Sequence, residues 1–125
     1  MNEARFASAG AHHKDLGFLI SGGAFNTPVP DNDPVATTEI STDGITFNAF
    51  TQLPLGLHSH CMVALDGDDG EFLVIGGHTS SHFSQQPDYS WSPLVLKHKN
   101  NQWQEMDNWM PTDRLGKEPN LANTT

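Results

Sequence analysis

The sequence predicts an all-β protein built from two copies of one four-stranded plan, and three observations carry that reading. First, Phe72-Leu73-Val74-Ile75-Gly76-Gly77 echoes Phe18-Leu19-Ile20-Ser21-Gly22-Gly23 at a distance of 54 positions (76 − 22 = 54). Residues 6–23 align with 60–77 without a gap, and five of the 18 pairs are identical: Asp15/Asp69, Phe18/Phe72, Leu19/Leu73, Gly22/Gly76 and Gly23/Gly77. Average residue usage would give about one identity by chance. Second, each copy of the stretch is a short apolar run too short for a helix, which marks a strand buried on both faces. Third, eight prolines and eleven glycines supply the punctuation that many short strands need.

Taken in order, residues 6–11 (FASAGA) and 60–65 (HCMVAL) read as first strands. Polar turns follow at 12–15 and 66–70, the second of them (DGDDG) a strong hairpin signal because Asp-Gly tolerates positive φ. Second strands then run over 16–21 and 71–75 into the glycine pairs, where the backbone is free to turn and to approach its neighbours closely. Residues 24–36 (AFNTPVPDNDPVA) and 78–91 (HTSSHFSQQPDYSW) are long irregular loops, the usual place for recognition residues on a rigid β scaffold. Third strands occupy 37–42 and 93–98, and fourth strands occupy 45–50 and 102–106, each of these last with an aromatic near its start. Phe47 lies 24 residues after Gly23 (47 − 23) and Trp103 lies 26 after Gly77 (103 − 77).

An apolar strand ending in Gly-Gly, recurring at this period with an aromatic at this spacing, resembles the kelch repeat. The resemblance makes Gly22, Gly23, Gly76, Gly77, Phe47 and Trp103 structural signature positions. The kelch pattern has a Tyr seven residues before the aromatic, and this chain has Ile40 and Leu96 there, which keeps a packing role without the hydroxyl. Arg5 stands 17 residues before Gly22 (22 − 5), where an opening Arg is expected, with Ser59 in the matching place of the second copy. The resemblance implies two four-stranded blades, 5–57 and 58–114, forming an incomplete β-propeller segment. Residues 115–125 are then a polar tail or the truncated start of a third repeat, opened by Arg114. It further implies a non-catalytic protein-interaction module, a substrate-recognition or scaffold segment that binds through its inter-strand loops. Because propellers close with four to eight blades, two blades alone should need other blades or self-association to cover their outer faces.

Charge narrows the partners. Acidic residues outnumber basic ones 15 to 6, for a net charge of −9, and no basic cluster exists, which argues against nucleic acid or an anionic membrane and favours a protein with a basic surface. The expected contacts are Phe25, Asp31, Asp33, His78, His82, Phe83, Tyr89 and Trp91, all on the two long loops. A lone cysteine, Cys61, precludes an intrachain disulfide and leans towards a reducing compartment such as the cytoplasm. No signal-peptide pattern or membrane-length apolar run is present.

No nucleophile elbow, phosphate loop or cysteine pair appears, so no catalytic residue and no cofactor is expected. The alternative rests on histidine. His58, His60, Cys61 and His78 flank the second signature strand, and imidazoles with a thiolate suit a metal, as in a fragment of an oxidase-like kelch metalloenzyme.

Overall fold

The computed structural model describes residues 1–25, 34–79, 92 and 94–106. These form eight strands, β1 (Ala9–His13), β2 (Gly17–Ser21), β3 (Thr38–Ser41), β4 (Asn48–Ala49), β5 (Cys61–Ala64), β6 (Phe72–Ile75), β7 (Val95–Lys99) and β8 (Gln102–Glu105), and no helix. They make two four-stranded antiparallel sheets, each a simple meander in the orders β1-β2-β3-β4 and β5-β6-β7-β8. The expected all-β class and the two four-stranded units are therefore present. Expectations that fall on 26–33, 80–91, 93 and 107–125, including Arg114, lie outside the described residues.

The two copies superpose in sequence with one slip that the gapless alignment concealed. In the first hairpin Ala11 pairs with Leu19, whereas in the second Val63 pairs with Leu73. Leu19 and Leu73 are 54 apart but Ala11 and Val63 are 52 apart, so the β5–β6 turn holds two extra residues. The left-handed backbone confirms the slip: Ala7 and Ser59, also 52 apart, both have φ 57°, and the bridge Phe6↔Ala24 is matched by His58↔His78. Asp15 and Asp69 are consequently not equivalent, and the counterpart of Arg5 is Leu57 rather than Ser59.

A second consequence follows at β3 and β7. Ile20 pairs with Glu39 and Val74 with Leu96, so the counterpart of Leu96 is Glu39, not Ile40, which matches Lys97 instead. Ile40 and Leu96 thus point to opposite faces of their sheets and do not share one packing role. Phe47 and Trp103 do correspond, because Asn48 and Gln104 pair with Ile40 and Lys97 respectively.

Strand side chains alternate between faces, so the registers sort them. The face of the first sheet carrying Ala11, His13, Leu19 and Ser21 turns towards the second sheet. There Ser21 Oγ lies 2.8 Å from His60 Nε2, and the His13 and Phe72 rings are 5.7 Å apart between centroids. The second sheet answers with Met62, Phe72, Val74, Leu96 and Trp103. The connecting segment 50–57 lies on this face, placing Leu53 and Leu57 with Val74 and Leu96 in one buried cluster. Trp103 Nε1 donates to the Thr51 carbonyl at 2.9 Å, and the Phe50 ring packs on His98 at 4.8 Å. Since Phe72 is the counterpart of Phe18, the sheets meet through opposite faces of equivalent units.

That arrangement corrects the expectation that both signature strands are buried on two sides. Phe72, Leu73 and Val74 are buried, at 0, 8 and 0% exposure, but Phe18 is 44% exposed. Phe18 lies on the outer face of the first sheet, with the His12 ring against it at 4.5 Å. Every strand is shorter than expected, and β1 and β4 depart most from their expected bounds. β1 begins at Ala9 because the positive φ of Ala7 breaks the extended run. β4 is only Asn48–Ala49 because Asp43 Oδ1 accepts from Ile45 N and Thr46 N, both at 2.8 Å, holding residues 43–46 in a turn. Ile45 is left 82% exposed.

Candidate functional site at the glycine ends of the sheets

Both long loops leave the sheets immediately after a glycine pair. The pairs adopt matching left-handed conformations, Gly22 at φ 61° and Gly23 at 90°, Gly76 at 70° and Gly77 at 95°. Only glycine suits this geometry. A Cβ on Gly23 would sit 2.6 Å from the Phe6 carbonyl oxygen, and one on Gly77 would sit 2.7 Å from His60 Cβ. Behind each pair the loop base is closed by the same hydrogen bonds. Gly22 N donates to Thr37 O and Gly76 N to Leu94 O, both at 3.0 Å; Val35 N donates to Gly23 O and Ser92 N to Gly77 O, at 2.8 and 2.7 Å.

The first loop base carries a further clamp. Arg5 has a fully buried side chain, and its Nη1 donates to the carbonyls of Gly22 (2.8 Å) and Thr37 (3.0 Å), one on each stem of the loop. Its Nη2 pairs with Glu3 and Glu39 carboxylates, each at 3.0 Å, and its guanidinium carbon lies 5.8 Å from the Phe25 ring centroid. Backbone N–H groups of Asn2 and Glu3 donate to the same Glu39 carboxylate, so this buried charge is well satisfied. In the second copy the positions of Arg5 and Glu39 are held by Leu57 and Leu96, both fully buried in the core cluster. A buried ion pair in one unit replaces an apolar contact in the other.

Of the expected contact residues, Phe25 is half-buried beside Arg5, and His78 is 7% exposed and stacked on His58 at 5.1 Å. Both stand at loop bases. Asp31, Asp33, His82, Phe83, Tyr89 and Trp91 lie outside the described residues. The set His58, His60, Cys61 and His78 does not converge on a metal. His58 and His78 lie ring against ring, His60 turns to Ser21, and Cys61 is exposed on the outer face of the second sheet. Among the described residues no three His, Cys, Asp or Glu side chains are placed to hold a metal ion.

His60 is the electrostatically unusual group here. Burial, reinforced by the neighbouring His58, pushes its pKa down to about 4, and its buried Nδ1 has no hydrogen-bond partner among the described residues. It therefore packs as a neutral ring between the two sheets.

The opposite ends of the sheets hold features that the sequence did not flag. An open cleft of about 550 Å³ lies between the hairpin turns, lined among others by His13, Asp15, Asp66, Asp68, Glu71 and His98. His98 Nδ1 lies 2.7 Å from Glu71 Oε1, and Lys97 Nζ lies 3.1 Å from Asp69, whose pKa its hydrogen bond and charge lower. The cleft and the Arg5–Glu39 pair both depend on registers, and residue spacing alone does not reveal them. Two signals for the pair were available: Arg5, by its spacing of 17 residues before Gly22 (22 − 5), and a charged residue inside the third strand (Thr38-Glu39-Ile40-Ser41).

No family model matches this chain, and no curated protein is similar to it. Among the described residues no helix is long and apolar enough to cross a membrane.

Proposed function

We propose that the chain is a kelch-type pair of blades that works as a non-catalytic protein-interaction module, contacting an acceptor with a basic surface through the loops spanning 24–36 and 78–91. One observation carries the reading: two loop bases of matching backbone geometry hold two loops of unrelated sequence. A fixed base ordered by Gly-Gly, and by Arg5 in the first copy, limits the entropy lost when a loop engages a partner. The divergent tips supply the contact chemistry, Asp31 and Asp33 in the first loop and Phe83, Tyr89 and Trp91 in the second.

Peptide display against the whole chain tests this. Binders enriched in Lys and Arg are expected, and replacing both loop tips with Gly-Ser linkers should abolish their binding. Replacing the 66–70 turn instead should leave binding unchanged. Binders lost only on the turn replacement would move the interaction to the acidic cleft and refute the loop assignment.

A further inference from the structure

The ends of the sheets opposite the long loops carry chemistry that loop recognition leaves unused. The cleft of about 550 Å³ there is walled by the β1–β2, β5–β6 and β7–β8 turns and by two buried histidines, His13 at 6% and His98 at 1% exposure. Its size is that of a small-molecule site. Asp15 N and Leu16 N donate to His13 Nδ1 at 3.1 and 3.3 Å, which leaves the ring proton on Nε2. Nε2 has no hydrogen-bond partner among the described residues. Unlike His60 Nδ1 it is not sealed from solvent, so its N–H opens into the cleft that the ring lines. A buried side chain thereby offers the cleft one directed donor.

The charges there are unevenly matched. Lys14 lies 3.6 Å from Asp15, His98 takes Glu71, and Lys97 takes Asp69. Asp66 and Asp68, on the same rim, have no cation within ion-pair distance among the described residues. Two uncompensated carboxylates in a concave wall favour a cation. Asn100 and Asn101 line the rim with side-chain amides that have no hydrogen-bond partner among the described residues, and Phe50 adds an aromatic surface. A bare cation or a simple amine would answer the carboxylates but offers no acceptor to His13 or to the amides. Hydroxyl groups held beside an ammonium meet all of these demands.

We propose that this cleft binds an amino sugar. Its ammonium sits between Asp66 and Asp68, its hydroxyls meet His13 Nε2–H and the Asn100 and Asn101 amides, and its C–H face packs on Phe50. The site stands apart from the loops and does not depend on what they bind.

The test titrates the full chain with D-glucosamine, at a pH where its amine is protonated, and follows the His13 ring and the Asn100 and Asn101 side-chain amides by nuclear magnetic resonance. Saturable shifts of these signals are expected. N-acetyl-D-glucosamine, which lacks the charge, and n-butylammonium, which lacks the hydroxyls, should each bind about tenfold more weakly, as should the sugar to an Asp66→Asn, Asp68→Asn double variant. Both substitutions fall in an exposed turn, and circular dichroism confirms that the β fold is kept. The chain with both loops replaced by Gly-Ser linkers should bind the sugar unchanged, so this site and the loop reading fail separately. Unmoved His13 signals would overturn the proposal. So would equal binding of either control compound, an affinity indifferent to the double variant, or binding lost with the loops.

Discussion

Phe18 and Phe72 occupy the same place in their copies and have opposite surroundings, so they make the sharpest pair of substitutions. Phe72→Ala should destabilise by about 3–5 kcal/mol, the range for emptying a packed aromatic site. Phe18→Ala should change the stability of an isolated chain by about 1 kcal/mol or less, because the ring is largely wet already. Urea unfolding measures both. The Arg5–Glu39 pair invites a similar comparison. Arg5→Leu leaves a buried carboxylate and two loop-stem carbonyls without their donor, and should cost about 3–5 kcal/mol. Adding Glu39→Leu, which copies the Leu57–Leu96 arrangement of the other unit, should restore part of that loss, and a double-mutant cycle reads the coupling. His60 sets a pH dependence. Its folded pKa of about 4 lies below the unfolded value of 6.5, so its neutral form is compatible with the fold above pH 6.5 and stability is lost as pH falls from there towards 4. The loss is on the order of 2–3 kcal/mol across that window, and His60→Gln should flatten it while keeping a partner for Ser21.

At the scale of elements, much was legible because the physics is local. An apolar run ending in Gly-Gly declares both a strand and its stop, and Asp66-Gly67-Asp68-Asp69-Gly70 declares a hairpin. The Ala7 and Ser59 kinks were not legible, because neither residue type prefers positive φ and tertiary contacts impose it. The two-residue slip was hidden by the coincidence of Asp15 with Asp69, which made a gapless alignment look complete. Burial of Phe18 was misjudged for a different reason: the register puts it on the face of the first sheet turned away from the second, whereas Phe72 faces the first sheet. The candidate contact residues were legible only as far as their loops, since strand registers decide that His78 stacks inside and Arg5 clamps a loop stem. The slip yields its own prediction. Deleting Gly67 and Asp68 gives the second hairpin the turn length of the first, and the Val63–Leu73 pairing should survive in cross-strand nuclear Overhauser contacts. A β5 strand shifted against β6 would show that the extra residues set the register.

For the whole molecule, a net charge of −9 should make association with basic partners fast at low salt. Stopped-flow measurements on a displayed binder should show the association rate falling steeply with ionic strength while dissociation changes little. The central claim is that the two sheets are successive copies of one unit, joined through unlike faces, and ring-to-ring contacts within one chain test it most directly. An isotope-filtered nuclear Overhauser experiment should detect the His13 ring against the Phe72 ring, whose centroids are 5.7 Å apart, and no contact between the Phe18 and Phe72 rings of the same chain. An intrachain Phe18–Phe72 contact would mean that like faces meet, and would contradict the repeat arrangement.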